Sequence, residues 1–343
     1  VQRLPTLGDD VTIDDVARLA GVSVSTVSRI LNKKPDVAKA TRERVQEVIT
    51  RLGYAPHASA RNLAGGKSQS VALLFPAEHT TLTQLELDFF IGAAQAASQH
   101  HYLFNLMTDP MNEAELLKLY RSGQVEGVIL MQLCMDDWRV KLLQKHRCAF
   151  VMIGRTEDPA GLSFIDLDFE AAMMKAFGQL VQLGHKHIGF ITRPRHMRKQ
   201  NLGPAVRSMK GFEKAIKHFG LAKLYREVNL TVEGVYQGTL ELLRENPELS
   251  AIVTVNGATS AGIYQALREH RRTIPNDVSV LAVATPKIAQ LMTPTLTSIN
   301  FPSDTIGYQA AHMLIRQLQG DSEPQQILLE PELVTRESTQ EIS

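Results

Sequence analysis

Between Val71 and Ala284 short apolar runs recur: "VALLF", "YLFNLM", "VEGVILM", "AFVMIG", "HIGFIT", "AIVTV" and "VSVLAVA". They alternate with amphipathic segments of helical length. A run without polar alternation is buried on both faces, so such strands belong in parallel sheets covered by helices. Roughly 270 residues of this pattern are too many for one sheet of strands this short, and two α/β lobes are expected.

The first 55 residues have a different period. Ile13, Val16, Ala17 and Ala20 fall at i, i+3, i+4 and i+7, one face of a helix. Thr12 and Asp15 have the spacing of a capping box, and Gly21 supplies a turn. Ser23 is placed to cap a second helix with Val27, Ile30 and Leu31 inward. A third helix is expected from Thr41, burying Val45, Val48, Ile49 and Leu52 and stopping at Gly53. Three short helices with a tight turn between the first two describe a helix-turn-helix domain. The next segment, "YAPHASARNLAGGKSQS", runs from Pro56 to Gly65-Gly66 and allows a helix of about eight residues, too short to stand alone in water. It reads as a linker with latent helicity.

Composition excludes several classes. No apolar run approaches the roughly 20 residues that cross a bilayer, and "VQRLPTLGDD" has no signal-peptide core, so a cytoplasmic protein without membrane contact is expected. Cys134 and Cys148, the two cysteines, have no metal-type spacing and read as buried thiols. Charge is nearly balanced: 10 basic against 7 acidic residues over 1–66, and 27 against 29 beyond. That imbalance alone does not imply nucleic acid.

The second helix does. Its outward positions are Ser25, Ser28, Arg29 and Asn32, with Val24 beside them at the helix start. This face carries hydroxyls, an amide and one arginine, and no acid. Arg29 suits guanine O6/N7, and an exposed Val24 suits a thymine methyl. An ordinary three-helix module with a polar face stays open as the alternative.

"VTIDDVARLAGVSVSTVSRILN" followed by "TRERVQEVITRLGYAPHASARNLAGGKS" resembles the start of a LacI/GalR-family transcription regulator, and the resemblance extends over residues 12 to 338. It implies an all-α helix-turn-helix domain followed by an α/β core of two parallel-sheet lobes, similar to type I periplasmic binding proteins. The expected divisions are a DNA-binding domain at 11–55, a hinge at 56–67 and a ligand-binding and dimerisation core at 68–340. In the core, the N-lobe would hold about 68–167 and 301–328, the C-lobe about 168–299 and 329–340, with crossings near Asp168, Asn300 and Leu329. The resemblance assigns base reading to Val24, Ser25 and Arg29, and phosphate contacts to Ser23, Thr26, Ser28 and Asn32. Thr12 and Thr41 would join the DNA-facing set. In the hinge, His57, Ala60, Arg61 and Leu63 would act, with Leu63 of each copy wedged into the minor groove at the central base step. Val24 departs from the longer polar residue common in the family, and His57 from its asparagine. Leu63 packed against a lobe is the competing reading.

The core departs further. The family's Arg before a Gly-aromatic pair is Ser208 here, with Arg207 one position back. Its Asn-Asp is Asn256-Gly257, and its pair of aspartates after "VSVL" is Ala284-Thr285. These groups commonly grip sugar hydroxyls, so a neutral-sugar pocket is disfavoured. The polar residues left at expected strand ends lean basic: Arg155, Arg193, Arg195, Arg198 and Arg207, with Asp166, Asp168, Tyr236 and Asn256. Arginines suit carboxylates and phosphates. The expected effector, drawn from Arg155, Asp168, Arg193, Arg207, Tyr236 and Asn256, is a sugar acid or sugar phosphate; a solvated basic loop is the alternative.

No catalytic pattern holds. "GGKS" at 65–68 resembles the end of a P-loop, but Arg61 stands where the leading glycine belongs. His185 and His187 flank a buried run. An exported solute-binding protein would suit the core alone, not the helix-turn-helix. The expectation is a dimeric, non-enzymatic repressor of carbohydrate-metabolism genes, without cofactor or metal, on a pseudo-palindromic operator. The tail "VTRESTQEIS" has no leucine heptad, which favours a homodimer over a tetramer. A regulator that has lost its effector is the runner-up.

Overall fold

The computed structural model describes residues 11–31, 36–54, 68–76, 83–321 and 323–342. They form a helical unit that ends by Gln69 and a larger unit that carries every described strand.

In the helical unit, α1 (Ile13–Ala20), α2 (Val24–Leu31) and α3 (Lys39–Leu52) share one core. Val16, Ala17, Ala20, Val27, Ile30, Val45, Val48 and Tyr54 are buried there, a cluster no single helix could enclose. The Thr12 hydroxyl accepts from Asp15 N at 3.3 Å while the Asp15 carboxylate accepts from Thr12 N at 3.1 Å, closing the capping box. Gly21 adopts φ 64, the left-handed conformation that glycine enters without a Cβ penalty, and Val22 N then reaches Ala17 O at 3.0 Å. The chain is thereby turned within three residues into α2. The third helix starts at Lys39, not at Thr41 as expected. Ala38 offers no side-chain cap, and its carbonyl accepts from Thr41 and Arg42 N–H groups at 3.1 and 3.0 Å, so the backbone alone begins the turn.

The larger unit begins β1 (Ser70–Leu74), α4 (Gln84–Gln99), β2 (Leu103–Met107), α5 (Glu113–Arg121), β3 (Gly127–Leu130), α6 (Trp138–Lys145), β4 (Ala149–Ile153) and β5 (Phe164–Leu167). At Asp168 the chain leaves this sheet for a second lobe. There follow α7 (Phe169–Gln182), β6 (Ile188–Thr192), α8 (Arg195–Lys199), α9 (Gly203–Phe219), β7 (Tyr225–Glu227), α10 (Val232–Glu245), β8 (Ala251–Thr254), a 3-10 turn (Gly257–Thr259), α11 (Ala261–Glu269), β9 (Ser279–Ala284), α12 (Pro286–Leu291) and β10 (Thr297–Asn300). The chain returns to the first lobe with α13 (Ser303–Leu318) and β11 (Gln326–Leu329), then ends in the second with β12 (Leu333–Val334).

Two six-stranded sheets result, ordered β11-β5-β4-β3-β1-β2 and β12-β10-β9-β8-β6-β7. Every pairing is parallel except β10 with β12. Full burial of β1, β3, β6, β8 and β9 follows from helices on both faces. In the first lobe α4 and α13 touch backbone to backbone. A Cβ on Gly92 would lie 2.0 Å from Asp304 O, and one on Gly307 would lie 2.1 Å from Phe89 O.

The lobes are tied together beside the carboxyl ends of their strands. Met135 N bonds Asn201 O at 2.7 Å and Gly203 N bonds Leu133 O at 2.8 Å, while Cys134 and Leu202 form an antiparallel bridge. Lys287 of α12 pairs with the buried Asp88 of α4 at 3.3 Å.

Candidate DNA-reading helix and interlobe cleft

The exposed start of α2 is a continuous hydroxyl surface. Ser23 Oγ lies 2.8 Å from Ser25 Oγ and 2.9 Å from Thr26 Oγ1, and accepts from Thr26 N at 3.2 Å, which caps the helix. Val24 projects between these groups and is 39% exposed. Thr26 and Ser28 are half-buried, and Thr41 lies in the first turn of α3. Arg29 is solvent-facing, and its guanidinium lies 3.3 Å from the Asp36 carboxylate. The acid-free face of the sequence thus acquires an acid from the segment that follows α2. Both side chains are more than half exposed, so the pair is weak and releases Arg29 easily. Thr12 is committed to its capping box. Asn32, His57, Ala60, Arg61 and Leu63 lie outside the described residues.

A cleft of about 260 Å3 opens between the two lobes. Thr83 and Glu86 at the start of α4 and Gln132 just beyond β3 form its N-lobe wall. Arg193, Asn229 and Asn256, just beyond β6, β7 and β8, form the other. The cleft therefore lies off the carboxyl ends of both sheets, the general ligand position in open α/β folds. Glu86 is buried and accepts from Thr83 N at 2.8 Å and Thr83 Oγ1 at 2.5 Å.

Arg193 dominates the cleft. Its guanidinium carbon sits 5.7 Å from the centre of the Phe169 ring. Its Nη1 is enclosed yet has no hydrogen-bond partner. Burial pulls the guanidinium down to about 10, against the pull of the Glu86 carboxylate, so it stays a cation at neutral pH. A buried N–H without an acceptor costs about 1–3 kcal/mol, which a ligand oxygen would recover. The Asn256 side-chain carbonyl accepts from Ala258 N at 3.0 Å, which leaves the amide N–H groups of this lining residue as its donors. These two groups call for acceptors.

The remaining expected effector contacts are corrected. Arg155 pairs with Asp166 at 2.7 Å beside β4 and does not line the cleft. Arg207 is buried, donating to the carbonyls of Arg155 and Thr156 at 2.9 Å each; it fastens the lobes together. Asp168 caps α7 by accepting from Glu170 N and Ala171 N, and borders a separate cavity at the crossing strands. Tyr236 points at Glu269 of α11, 2.5 Å away. Arg198 pairs with Glu227, and Arg195 is exposed. For Arg155, Arg198, Arg207 and Tyr236 the diverting partner is a carboxylate or carbonyl distant in the chain.

At the strand ends where the resemblance led to aspartates, small residues are packed against one another. A Cβ on Gly257 would meet Ala284 Cβ at 2.3 Å, so Gly257 has no room for a carboxylate beside Ala284. Thr285 is buried and caps α12 through Ile288 N at 3.3 Å. Thr83, Glu86, Gln132 and Asn229 escaped the sequence reading. Thr83 and Glu86 carry the spacing of a capping box before an apolar run, and Gln132 directly follows "VILM", so both signals were present.

A helix-turn-helix with an exposed second-helix face, in one chain with a two-lobed α/β core around a polar cleft, defines the class of DNA-binding transcription regulators. Residues 12–57 match the model for bacterial regulatory proteins of the lacI family, and residues 177–339 that for a periplasmic binding protein-like domain. The chain belongs to the LacI family. It is 30% identical over 340 residues to the HTH-type transcriptional regulator CelR of Thermobifida fusca, covering 95% of this chain and 98% of that one. To catabolite control protein A of Priestia megaterium it is 28% identical over 337 residues, covering 96% and 99%. Among solved structures it superposes on a CelR–cellobiose complex with TM-score 0.69 at 28% identity, over 96% and 99% of the two chains. On the lac repressor dimer bound to operator and the anti-inducer ONPF the TM-score is 0.84 at 22% identity, over 97% and 100%. The second likeness shows the shared fold.

Proposed function

We propose that this chain is a repressor of carbohydrate-metabolism genes, binding a pseudo-palindromic operator as a homodimer through α2 of each copy. A sugar acid or sugar phosphate in the interlobe cleft controls that binding. The observation that carries the effector class is Arg193: an enclosed guanidinium Nη1 without an acceptor, on a wall that also offers the Asn256 amide. A carboxylate or phosphate supplies the missing acceptors. In this family carboxylates commonly grip the hydroxyls of a neutral sugar; Gly257 and Ala284 stand at two of the expected places, and the cleft carboxylate of Glu86 already accepts from Thr83. The CelR complex holds cellobiose, which supports the carbohydrate class.

A thermal-shift screen of the purified chain against neutral sugars, sugar acids and sugar phosphates tests this. A ligand at 100 times its Kd stabilises the fold by about 2.7 kcal/mol. Anionic sugars are expected to raise Tm, with the gain lost in Arg193→Ala. A response to neutral sugars alone would reverse the charge assignment. No response to any of the three classes would favour a regulator without an effector, a reading in keeping with Gly257 and Ala284-Thr285 standing where the family commonly has aspartates.

A further inference from the structure

A second cavity of about 250 Å3 adjoins the cleft inside the N-lobe, and Gln132 lines both. Its walls include Pro76, Pro110, Met111 and the indole of Trp138. Asp109, Asp136, Asp137 and Arg139 are its charged members, and Arg139 Nη1 is enclosed without a hydrogen-bond partner. Trp138 is the chain's single tryptophan, and it is 40% exposed. An indole left open at the side of an apolar cavity is unusual, since burial of a ring this size is strongly favourable.

The segment that carries Asp136 and Trp138 is anchored to the end of β3. Arg139 and Asp137 form a buried ion pair, with Arg139 Nη2 2.7 Å from Asp137 Oδ2 and Nε 2.9 Å from Oδ1. The same guanidinium donates to the carbonyls of Met131 and Gln132 at 3.1 Å each, clamping the end of β3. Asp137 also caps α6 through Arg139 N at 3.0 Å and accepts from Cys134 N at 3.1 Å. Trp138 lies between Asp137 and Arg139 in the chain, at the first position of α6. Gln132 itself holds φ 53, a conformation that costs free energy in a non-glycine residue and recurs at binding sites.

We infer that the effector has two rings, an anionic one beneath Arg193 and an uncharged pyranose stacked on Trp138, with Gln132 between them. The apolar face of a pyranose suits an indole. Arg139 is neutralised by Asp137, and Lys141 pairs with Asp136 at 2.6 Å, so the carboxylate of Asp109 leaves this compartment with surplus negative charge. It repels a second anion and accepts sugar hydroxyls, while Arg139 Nη1 can donate to a sugar oxygen, which makes the outer ring the uncharged one. The inference rests on the effector reading above and adds the ligand's length and the order of its two rings.

Because Trp138 is the only tryptophan, its emission reports this compartment alone. The full chain is titrated with gluconate, cellobiose and lactobionate, following Tm and tryptophan emission together. Lactobionate is expected to raise Tm and to shift or quench the emission. Gluconate is expected to raise Tm with emission unchanged. Trp138→Ala should weaken lactobionate at least tenfold and leave gluconate within twofold, while Trp138→Phe keeps most of the lactobionate affinity. If lactobionate raises Tm without touching the emission, or binds Trp138→Ala and the unaltered chain equally, the second ring site does not exist although the effector reading stands. If none of the three probes raises Tm, the effector reading fails and the two-ring inference with it.

Discussion

Arg29 and Asp166 show how a single side chain is set by its neighbours. Arg29 reaches solvent from the second turn of α2, restrained only by an exposed pair with Asp36. Arg29→Ala is therefore expected to leave fold stability nearly unchanged and to cost about 1–3 kcal/mol at one base pair per half-site. Selection from random duplexes checks this: preference should relax at one symmetric position, whereas a uniform loss across sequences would make Arg29 a phosphate contact. Asp166 is the opposite case. Burial pushes its carboxyl from 3.8 up to about 6, despite the downward pull of Arg155 and Arg207. Between those values the folded chain holds a proton that the unfolded chain has released. This contribution to stability is fully present below about pH 3.8 and is lost as pH rises through about 6, with a slope of up to about 1.4 kcal/mol per unit. Asp166→Asn should flatten that part of the denaturation profile relative to the unaltered chain; identical profiles would show that Asp166 does not titrate there.

Among the elements, the pair α4–α13 has the tightest constraint. Gly92 and Gly307 bring the two backbones into contact, and no side chain fits at either position. Gly307→Val is expected to destabilise the core by about 3 kcal/mol or more, since the clash is with backbone and cannot be relieved by a rotamer. Urea titration reads this directly, and a loss below about 1 kcal/mol would mean the helices can separate cheaply. Elements also differ in how legible they were. The stripes Val16–Ala20 and Val45–Val48 were readable because helical period and a bounding glycine agree. Most of the seven apolar runs were readable as strands because both faces are buried; "YLFNLM" is the exception, an edge strand with Leu103 and Leu106 exposed, and was readable from its apolar run alone. By contrast β5 ("FIDL"), β7 ("YRE") and β10 ("TSIN") are short and carry polar residues, so neither length nor alternation marks them. Strand-end logic reached Arg193 and Asn256 in the cleft. It misassigned Arg155, Arg207 and Tyr236 because their partners Asp166, the 155–156 carbonyls and Glu269 are 11, 52 and 51, and 33 residues away.

On the scale of the whole molecule, the proposed function rests on linkage between two separate binding events. The core's lobes are joined by the Arg207 clamp, the Met135–Asn201 bond and the Lys287–Asp88 pair around the cleft. A ligand that binds one lobe arrangement better than another shifts the population between them, and operator affinity must change by the same factor by which DNA changes ligand affinity. Couplings of this kind are typically about 1–3 kcal/mol, or 5- to 150-fold. The decisive measurement is the affinity of the full chain for its selected operator at fixed salt, with and without a saturating sugar acid that raises Tm. A change of at least about fivefold is predicted, abolished in Arg193→Ala. Equal affinities in the two titrations, with the ligand demonstrably bound, would contradict control of DNA binding through the cleft.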